Sequence, residues 1–114
     1  MATLNEKIDA MTIATIIQRC KSTLEGYYGS QFKGLILYGS LARDQAGPAS
    51  DIDLLVLLSQ PFNYVDQLRQ IVEILYPIQL ESDRLISAKP APMDEFEHGS
   101  IQLYRNVKRE GVPV

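Results

Sequence analysis

The apolar positions of this chain follow two different periods, which predict helices and strands in alternation. Apolar residues recur at helical spacing over residues 4–24, with an interruption near Met11, and predict a first helix that residues 26–30 end. Thr3 and Glu6 have the spacing of a capping box, in which each side chain satisfies a free amide at the start of a helix. The N-terminal segment is therefore expected to be helical.

Two short segments, residues 34–38 and 52–58, are too continuously apolar to be half-exposed, and they predict buried strands. Between them we expect a short helical piece at residues 41–43 and a loop at residues 46–50, because the loop contains glycine, proline and serine. The two strands are expected to be neighbours in one sheet.

A second long helix is predicted after Pro61 and Asn63, which are typical of a helix start, and Pro77 is expected to end it. Its apolar residues recur at helical spacing, so they should form one buried stripe. That stripe consists of Val65, Leu68, Val72 and Leu75.

The rest of the chain predicts one more strand and a final helical region. Residues 78–88 are the expected third strand, which the prolines of residues 90–92 break, and residues 93–109 are expected to be helical with an interruption at Gly99. The resulting order is helix, strand, short helix, strand, helix, strand, helix. This order predicts an α/β (α+β) fold, in which helices pack on a small mixed β-sheet.

The composition is that of one folded domain. With 114 residues, 46% of them hydrophobic and 22% charged, the chain can bury a single core. We therefore expect one domain over residues 1–114, without a separate substrate-binding domain. The net charge of -3 argues against a broad nucleic-acid-binding surface. Cys20, the one cysteine, is expected to lie in the core.

Neither a membrane span nor a signal peptide is expected. The longest apolar run, residues 54–58, is far too short to cross a bilayer. Polar residues interrupt the N-terminal segment, unlike the continuous apolar region of a signal peptide. We therefore expect a cytoplasmic protein.

Two aspartates at the start of the second strand are the first candidate site residues. Asp51 and Asp53 are two positions apart, so on a strand both side chains point to the same face. Two carboxylates this close repel each other, and a divalent cation removes that repulsion. Carboxylate oxygens suit Mg²⁺, which keeps phosphate oxygens among its ligands. The pair is therefore a candidate metal platform for phosphate chemistry.

A second candidate lies where the first strand ends. Gly39 lets the backbone approach a ligand closely, and the Ser40 hydroxyl and the free amides of a following helix can bind phosphate. Taken singly, a Gly-Ser pair is usually a turn, and two such aspartates are usually solvent-exposed or a helix cap. Together, with ten residues between them, they are expected by chance in about one chain of this size in a hundred. The combination therefore predicts a nucleoside-triphosphate site.

One superfamily has a signature that closely resembles two segments of this chain, Gly39-Ser40-Leu41-Ala42-Arg43 and Ser50-Asp51-Ile52-Asp53-Leu54-Leu55-Val56. It is the DNA polymerase β-like nucleotidyltransferase superfamily, and the resemblance is greatest to its minimal nucleotidyltransferase branch. The match is specific over residues 38–56 and weaker over residues 103–111. It implies the polymerase β-like nucleotidyltransferase fold.

The resemblance also implies a reaction. The enzyme would transfer a nucleoside monophosphate, AMP from ATP or the corresponding part of another nucleoside triphosphate, to a hydroxyl acceptor with release of pyrophosphate. Asp51 and Asp53 would be catalytic residues that hold one or two Mg²⁺ ions. The protein would mainly position groups and supply charge, as in other phosphoryl transfers.

Three further residues would bind the nucleotide if the resemblance holds. Gly39 and Ser40 would bind the triphosphate, and Arg43 would contact a phosphate. For Arg43 an equal alternative is a salt bridge to Asp44 or Asp51 that holds the loop. Both interpretations of Arg43 stay open at this point.

Members of the superfamily usually have a third carboxylate on the next strand, and two residues are candidates for it here. If residues 78–88 form one unbroken strand, Glu81 and Asp83 point to the same face. The order of acid and then apolar residues favours Asp83 as the third catalytic residue. The alternative is that both are ordinary exposed acids, in which case catalysis would be weak or would depend on a partner.

Three functions are compatible with this site. The first is an active nucleotidyltransferase. The second is an antitoxin or interaction protein, because proteins resembling this one are commonly paired with a small helical HEPN-type toxin, which they bind with or without adenylylating it. The third is a nucleotide-binding relic without turnover. The small size favours a HEPN-type partner or further copies of the chain, with Ile101, Tyr104 and Val107 as a candidate contact and core packing as the alternative.

Overall fold

The computed structural model describes residues 12–45, 47 and 50–114, in which helices pack against both faces of a four-stranded sheet. The predicted capping box of Thr3 and Glu6 and the interruption near Met11 lie outside these residues. The first described helix begins at Ile13, where the Thr12 side chain accepts a hydrogen bond from the Thr15 amide. A threonine at this position satisfies one of the free amides of the first turn.

The elements alternate much as the sequence predicts, although several bounds differ. In chain order they are α1 (Ile13–Tyr28), a 3-10 turn (Gly29–Gln31), β1 (Phe32–Tyr38), β2 (Ile52–Leu58), α2 (Tyr64–Glu81), β3 (Ile86–Pro92), α3 (Met93–His98), α4 (Gln102–Glu110) and β4 (Val112–Pro113). No helix within these ranges combines the length and apolar character that crossing a bilayer requires.

The sheet is mixed, as predicted for this fold class. The strand order is β3-β2-β1-β4, with β1 antiparallel to both β2 and β4 and β2 parallel to β3. The parallel pair is joined by α2, which provides the long crossover that parallel strands need. β2 therefore lies inside the sheet, while β3 and β4 form its edges.

Alternate residues of β2 enter two separate cores, which explains its continuous apolar sequence. Leu54 and Val56 join the core formed with α1 and α2. Leu55 and Leu57 join the core formed with α3 and α4. Cys20 is fully buried in the first of these cores, as predicted, and burial raises the pKa of its thiol to about 11.

The start of α2 was predicted correctly, its buried face only in part, and its end incorrectly. Asn63 caps the helix by accepting a hydrogen bond from the Asp66 amide. Pro77 lies inside the helix instead of ending it. An internal proline costs about 3 kcal/mol, and burial of Ile78 one residue further on offsets much of that cost.

Only part of the predicted stripe of α2 packs on the sheet. Leu75 is buried as predicted, together with Ile71 and Ile78, which were not part of that stripe. Val65 and Val72, which were predicted to be buried, are 52% and 60% exposed. Helical spacing defines two overlapping apolar stripes on this helix, and only the packing partner selects between them.

The third strand lies later in the chain than predicted. The prediction of a strand over residues 78–88 is wrong, since residues 78–81 complete α2 and β3 runs from Ile86 to Pro92. Pro90 and Pro92 lie within the strand, although prolines were expected to break it. They are tolerated because β3 is an edge strand, where an amide on the outer side has no ladder partner to lose.

The final helical region is divided at Gly99, as predicted, into α3 and α4. Tyr104 and Val107 pack in the core against the sheet, whereas Ile101 is 48% exposed. Core packing is therefore the correct interpretation of Tyr104 and Val107, and they are no contact surface for a partner.

Candidate active site

The antiparallel pairing of β1 and β2 brings the two halves of the predicted motif into contact. Tyr38 lies opposite Asp53, so Gly39, the next residue, lies against the Asp53 side chain. Gly39 has a positive φ of 75°, and a Cβ atom at this position would overlap a carboxylate oxygen of Asp53. The backbone conformation favours glycine here, and a side chain would also have to displace the Asp53 carboxylate.

The negative charges of the two aspartates, Asp51 and Asp53, repel each other. Asp53 is half-buried, and its pKa is raised above the ordinary value, first by burial and second by the charge of Asp51. The positive charges of Lys89 and Arg43 partly oppose this effect. Two neighbouring carboxylates whose ionised forms disfavour each other provide oxygen ligands that a divalent cation would stabilise.

The donor set fits one Mg²⁺ ion, which proteins commonly hold through one or two carboxylates while phosphate oxygens and water complete its shell. Among the residues that the structure describes, no group of three or more His, Cys, Asp or Glu side chains could hold a metal. Within the described part of the chain, Asp51 and Asp53 are therefore not joined by a third side chain of these types.

Asp53 shares one face of the sheet with Tyr38, Ser87 and Lys89. In the parallel register of β2 and β3, Asp53 lies beside Ser87, and Leu55 lies beside Lys89. This is the face that α3 and α4 partly cover further along the strands. Burial, together with the nearby charge of Asp53, raises the pKa of Tyr38 to about 12. The Tyr38 hydroxyl therefore stays protonated beside the site at neutral pH.

The segment after Gly39 forms a single helical turn, so the short helical piece predicted at residues 41–43 does not extend beyond one turn. The Arg43 amide donates to the Gly39 carbonyl at 3.2 Å, and the Gln45 amide donates to the Ser40 carbonyl at 2.9 Å. Asp44 has a positive φ of 56°, a conformation that ends a helical turn. One turn has no appreciable macrodipole, so any phosphate binding here would depend on individual amides and on the Ser40 hydroxyl.

Arg43 forms a salt bridge, although with a different partner from those predicted. Its Nη1 atom lies 3.5 Å from Oε2 of Glu110 at the end of α4, and its Nε donates to Gln45 at 3.2 Å. Asp44 and Asp51, the expected partners, are not involved in this contact. Solvent-exposed pairs of this kind contribute about 1 kcal/mol or less, so the guanidinium can leave Glu110 for a phosphate at little cost.

The structure does not bring the predicted third carboxylate to the site. Glu81 is the last residue of α2, where its Oε2 lies 2.7 Å from Nη1 of Arg19. Asp83 is exposed in the loop between α2 and β3. Glu81 and Asp83 therefore do not share a strand face, contrary to the prediction, because neither residue is part of a strand. The β3 position beside Asp53 belongs to Ser87.

Sequence reasoning missed one residue that holds the site together, Arg84. Its Nη1 donates to the Ser50 carbonyl at 2.9 Å and to the Gly47 carbonyl at 3.3 Å, and so holds two residues that precede Asp51. The Ser50 hydroxyl accepts from the Gly47 amide at 2.9 Å in the same loop. The acceptors are carbonyls more than thirty positions away in sequence, so no motif could have indicated this contact.

We expect Arg84→Ala to weaken metal and nucleotide binding by about fivefold to tenfold, because losing hydrogen bonds to a charged group costs about 1.5 kcal/mol. Isothermal titration calorimetry with Mg²⁺ and a non-hydrolysable ATP analogue measures both affinities. Arg69→Ala, which removes an exposed arginine from α2, is the matched control. Equal affinities in the two variants would show that the loop holds its position without Arg84.

Comparison with known protein families identifies a family to which this chain is similar. The sequence model of a family described as nucleotidyltransferase domain matches residues 13–105, from the start of α1 into α4. The match covers most of the chain and includes Gly39, Asp51, Asp53 and Lys89. No curated protein matches this chain in a sequence comparison.

Proposed function

Because this chain belongs to the nucleotidyltransferase domain family, we propose that it transfers a nucleoside monophosphate, AMP from ATP, to a hydroxyl acceptor. The observation that carries the proposal is the contact between Gly39 and the Asp53 carboxylate. It places a backbone turn that can bind phosphate directly beside a carboxylate that can bind a cation. A nucleoside triphosphate is the substrate class that uses both.

Each side chain has a role in this proposal that follows from its position. Asp51 and Asp53 would hold Mg²⁺, which when bound offsets negative charge on the phosphate oxygens. The amides of the turn after Gly39 and the Ser40 hydroxyl would hold the outer phosphates. Arg43 would leave its exposed pair with Glu110 to contact a phosphate. The protein would thereby orient the α-phosphate for attack by the acceptor hydroxyl.

The position of a radioactive label distinguishes this reaction from other uses of ATP. The protein is incubated with Mg²⁺, the protein encoded by the neighbouring gene as acceptor, and ATP labelled at either the α- or the γ-phosphate. We expect transfer from α-labelled ATP only, release of pyrophosphate, and loss of both with a chelator. Transfer from γ-labelled ATP would indicate a kinase and contradict the proposal.

Two matched variants show whether that transfer belongs to the candidate site. Asp51→Asn removes a carboxylate from the aspartate pair, and Glu25→Gln removes an exposed one from α1. We expect the first to reduce transfer by about a hundredfold or more and the second to leave it unchanged. Equal activity of the two variants would place the reaction elsewhere.

A second candidate function, binding of a protein partner, is favoured by the outer side of α2. Its exposed apolar residues follow one stripe of the helix, which fits a helix of another protein. The stripe, with its exposed fractions, is Val65 (52%), Val72 (60%), Tyr76 (56%) and Leu80 (68%), and Leu85 (58%) lies beside it across a groove. We propose that a helix of a small HEPN-type protein occupies this stripe, whether or not that protein is also the acceptor.

Replacing the centre of the stripe tests this partner. We expect Val72→Asp together with Tyr76→Asp to abolish co-purification with the helical protein of the neighbouring gene, because two charges would be buried in the contact. Binding of the ATP analogue should stay unchanged, since the stripe is on the other side of the sheet from Asp53. The proposal would be contradicted if the complex still formed after the change. It would also be contradicted if the measured mass showed that the stripe joins two copies of this chain and no other protein.

A further inference from the structure

Two cationic side chains and two carboxylates act on one another at the candidate site. Lys89 and Arg43 reach the candidate site from two elements, Lys89 from β3 and Arg43 from the turn that follows β1. Arg43 is held by Glu110 at the end of α4. Lys89 is exposed on β3 and forms no salt bridge with any residue that the structure describes within 4.0 Å.

Lys89 lies on β3, on the same face of the sheet as Asp53. A third carboxylate that shared a cation with Asp53 would have to lie on this strand and this face. The register of β2 and β3 puts Ser87 beside Asp53 and Lys89 two positions further along, so all three side chains project from the same face. A hydroxyl and an ammonium therefore occupy the two β3 positions nearest to the aspartates on this face. The ammonium cannot ligate a cation, and the neutral hydroxyl supplies no negative charge to hold a second cation beside the carboxylate pair.

We infer that this site holds one divalent cation, and that the Lys89 ammonium supplies the positive charge at the nucleotide phosphates that a second cation would otherwise supply. The inference depends on the proposed function, because it assumes that a nucleoside triphosphate binds here. Lysine is suited to this role, since its ammonium is a mobile point charge that binds phosphate without a fixed geometry.

The charge balance supports a single cation. Asp51 and Asp53 together supply two negative charges, which one divalent cation neutralises. A second cation would lie near the Lys89 ammonium and would be repelled by it, without a third carboxylate from the described residues to compensate. The one cation does not neutralise all the negative charge of the triphosphate. The remaining charge can interact with Lys89 and Arg43.

The number of bound cations is measured directly. The protein is saturated with an ATP analogue whose α,β-bridging oxygen is a methylene group, and bound Mn²⁺ is counted by equilibrium dialysis with electron paramagnetic resonance. We expect one Mn²⁺ per bound analogue. Two Mn²⁺ per analogue would overturn the inference while leaving the proposed function intact. If neither the analogue nor Mn²⁺ binds, the proposed function itself fails.

The role of Lys89 predicts opposite effects on two ligands. We expect Lys89→Gln to weaken binding of the analogue about tenfold and to strengthen binding of Mn²⁺ alone about threefold, because the lysine attracts phosphate and repels the cation. Lys33→Gln removes an exposed lysine near the far end of β1 and should change neither affinity. The inference would be overturned if Lys89→Gln changed neither the affinity for the analogue nor the affinity for Mn²⁺ alone. It would also be overturned if both affinities fell.

A designed third carboxylate provides an independent test. Ser87→Asp combined with Lys89→Gln places a carboxylate beside Asp53 and removes the repelling ammonium. We expect this variant to bind two Mn²⁺ per analogue, with circular dichroism confirming that it is folded. A count that stays at one would overturn the assignment of Ser87 and Lys89 as the reason for the single cation.

Discussion

Asp53→Asn should reduce nucleotide transfer by about a hundredfold to a thousandfold while making the metal-free protein more resistant to urea at neutral pH. The first effect follows because an amide is a poor ligand for a hard cation. The second follows because burial and the charge of Asp51 raise the pKa of Asp53, so that its ionised form destabilises the folded state. Asparagine has a similar shape without that charge.

The sign of the pH dependence is defined by this shift. A carboxyl group whose folded pKa is raised destabilises the fold fully at pH values above that pKa. As the pH falls through the folded pKa towards the ordinary value of 3.8, Asp53 becomes protonated and the destabilisation disappears. The difference in free energy of unfolding between Asp53→Asn and the natural protein should therefore be largest near pH 7. It should become smaller as the pH is lowered.

Urea denaturation at several pH values measures that difference, and added Mg²⁺ provides an internal check. A bound cation should stabilise the natural protein but not Asp53→Asn, since a ligand stabilises only the state that binds it. If Asp53→Asn is less stable than the natural protein at pH 7, the aspartate has a structural role that the geometry does not indicate. Glu25→Gln, which removes an exposed carboxylate, serves as the control for a general charge effect.

Gly39→Ala should be the most damaging single-methyl substitution at the site. The positive φ of 75° costs an alanine about 1–2 kcal/mol. In addition, the new Cβ would overlap the Asp53 carboxylate, so either the turn or the aspartate must move. We expect a loss of about 2 kcal/mol or more of stability, and a loss of transfer approaching that of Asp53→Asn.

Gly26→Ala is the matched control for that substitution. Gly26 lies in α1, where a Cβ would meet nothing within 4 Å. Alanine there should stabilise the protein by about 0.5–1 kcal/mol, as expected for a glycine inside a helix. Urea denaturation of both variants should therefore give changes of opposite sign. Equal and small changes would show that the turn at Gly39 tolerates a side chain.

A double-mutant cycle separates the overlap from the backbone cost at Gly39. If the overlap with Asp53 matters, Gly39→Ala should cost less in a protein that already has Asp53→Ala, because the carboxylate is no longer there. The remaining cost should be that of the positive φ alone. Purely additive losses would show that Gly39 and Asp53 do not interact.

The half of the fold that contains the aspartate pair could be predicted from the sequence because its signals are local. β2 was placed correctly at residues 52–58, since a strand buried on both faces has a continuous run of apolar residues. Asn63 was identified as a helix start because capping needs only the next three residues. The contact of Gly39 with Asp53 also depends on two neighbouring strands joined by one loop.

The other half could not be predicted, because it depends on which surfaces meet. Pro77 stays inside α2 and Pro90 inside β3, and each position contradicts a local preference that burial or an edge position overrides. Val72 has the same helical period as Leu75, yet only Leu75 faces the sheet. Local propensity differs by a few tenths of a kcal/mol to about 1 kcal/mol per residue, which is less than burying one apolar side chain contributes.

The sequence by itself determined the family, the strand pair and the aspartates of the candidate nucleotide and metal site. Only the tertiary structure decided what surrounds them: Ser87 and Lys89 beside Asp53, Arg84 on the preceding loop, and Glu110 against Arg43. The physical reason is that these contacts join residues far apart in the chain through the register of β3 and the packing of α4. Neither leaves a periodic signal in the sequence.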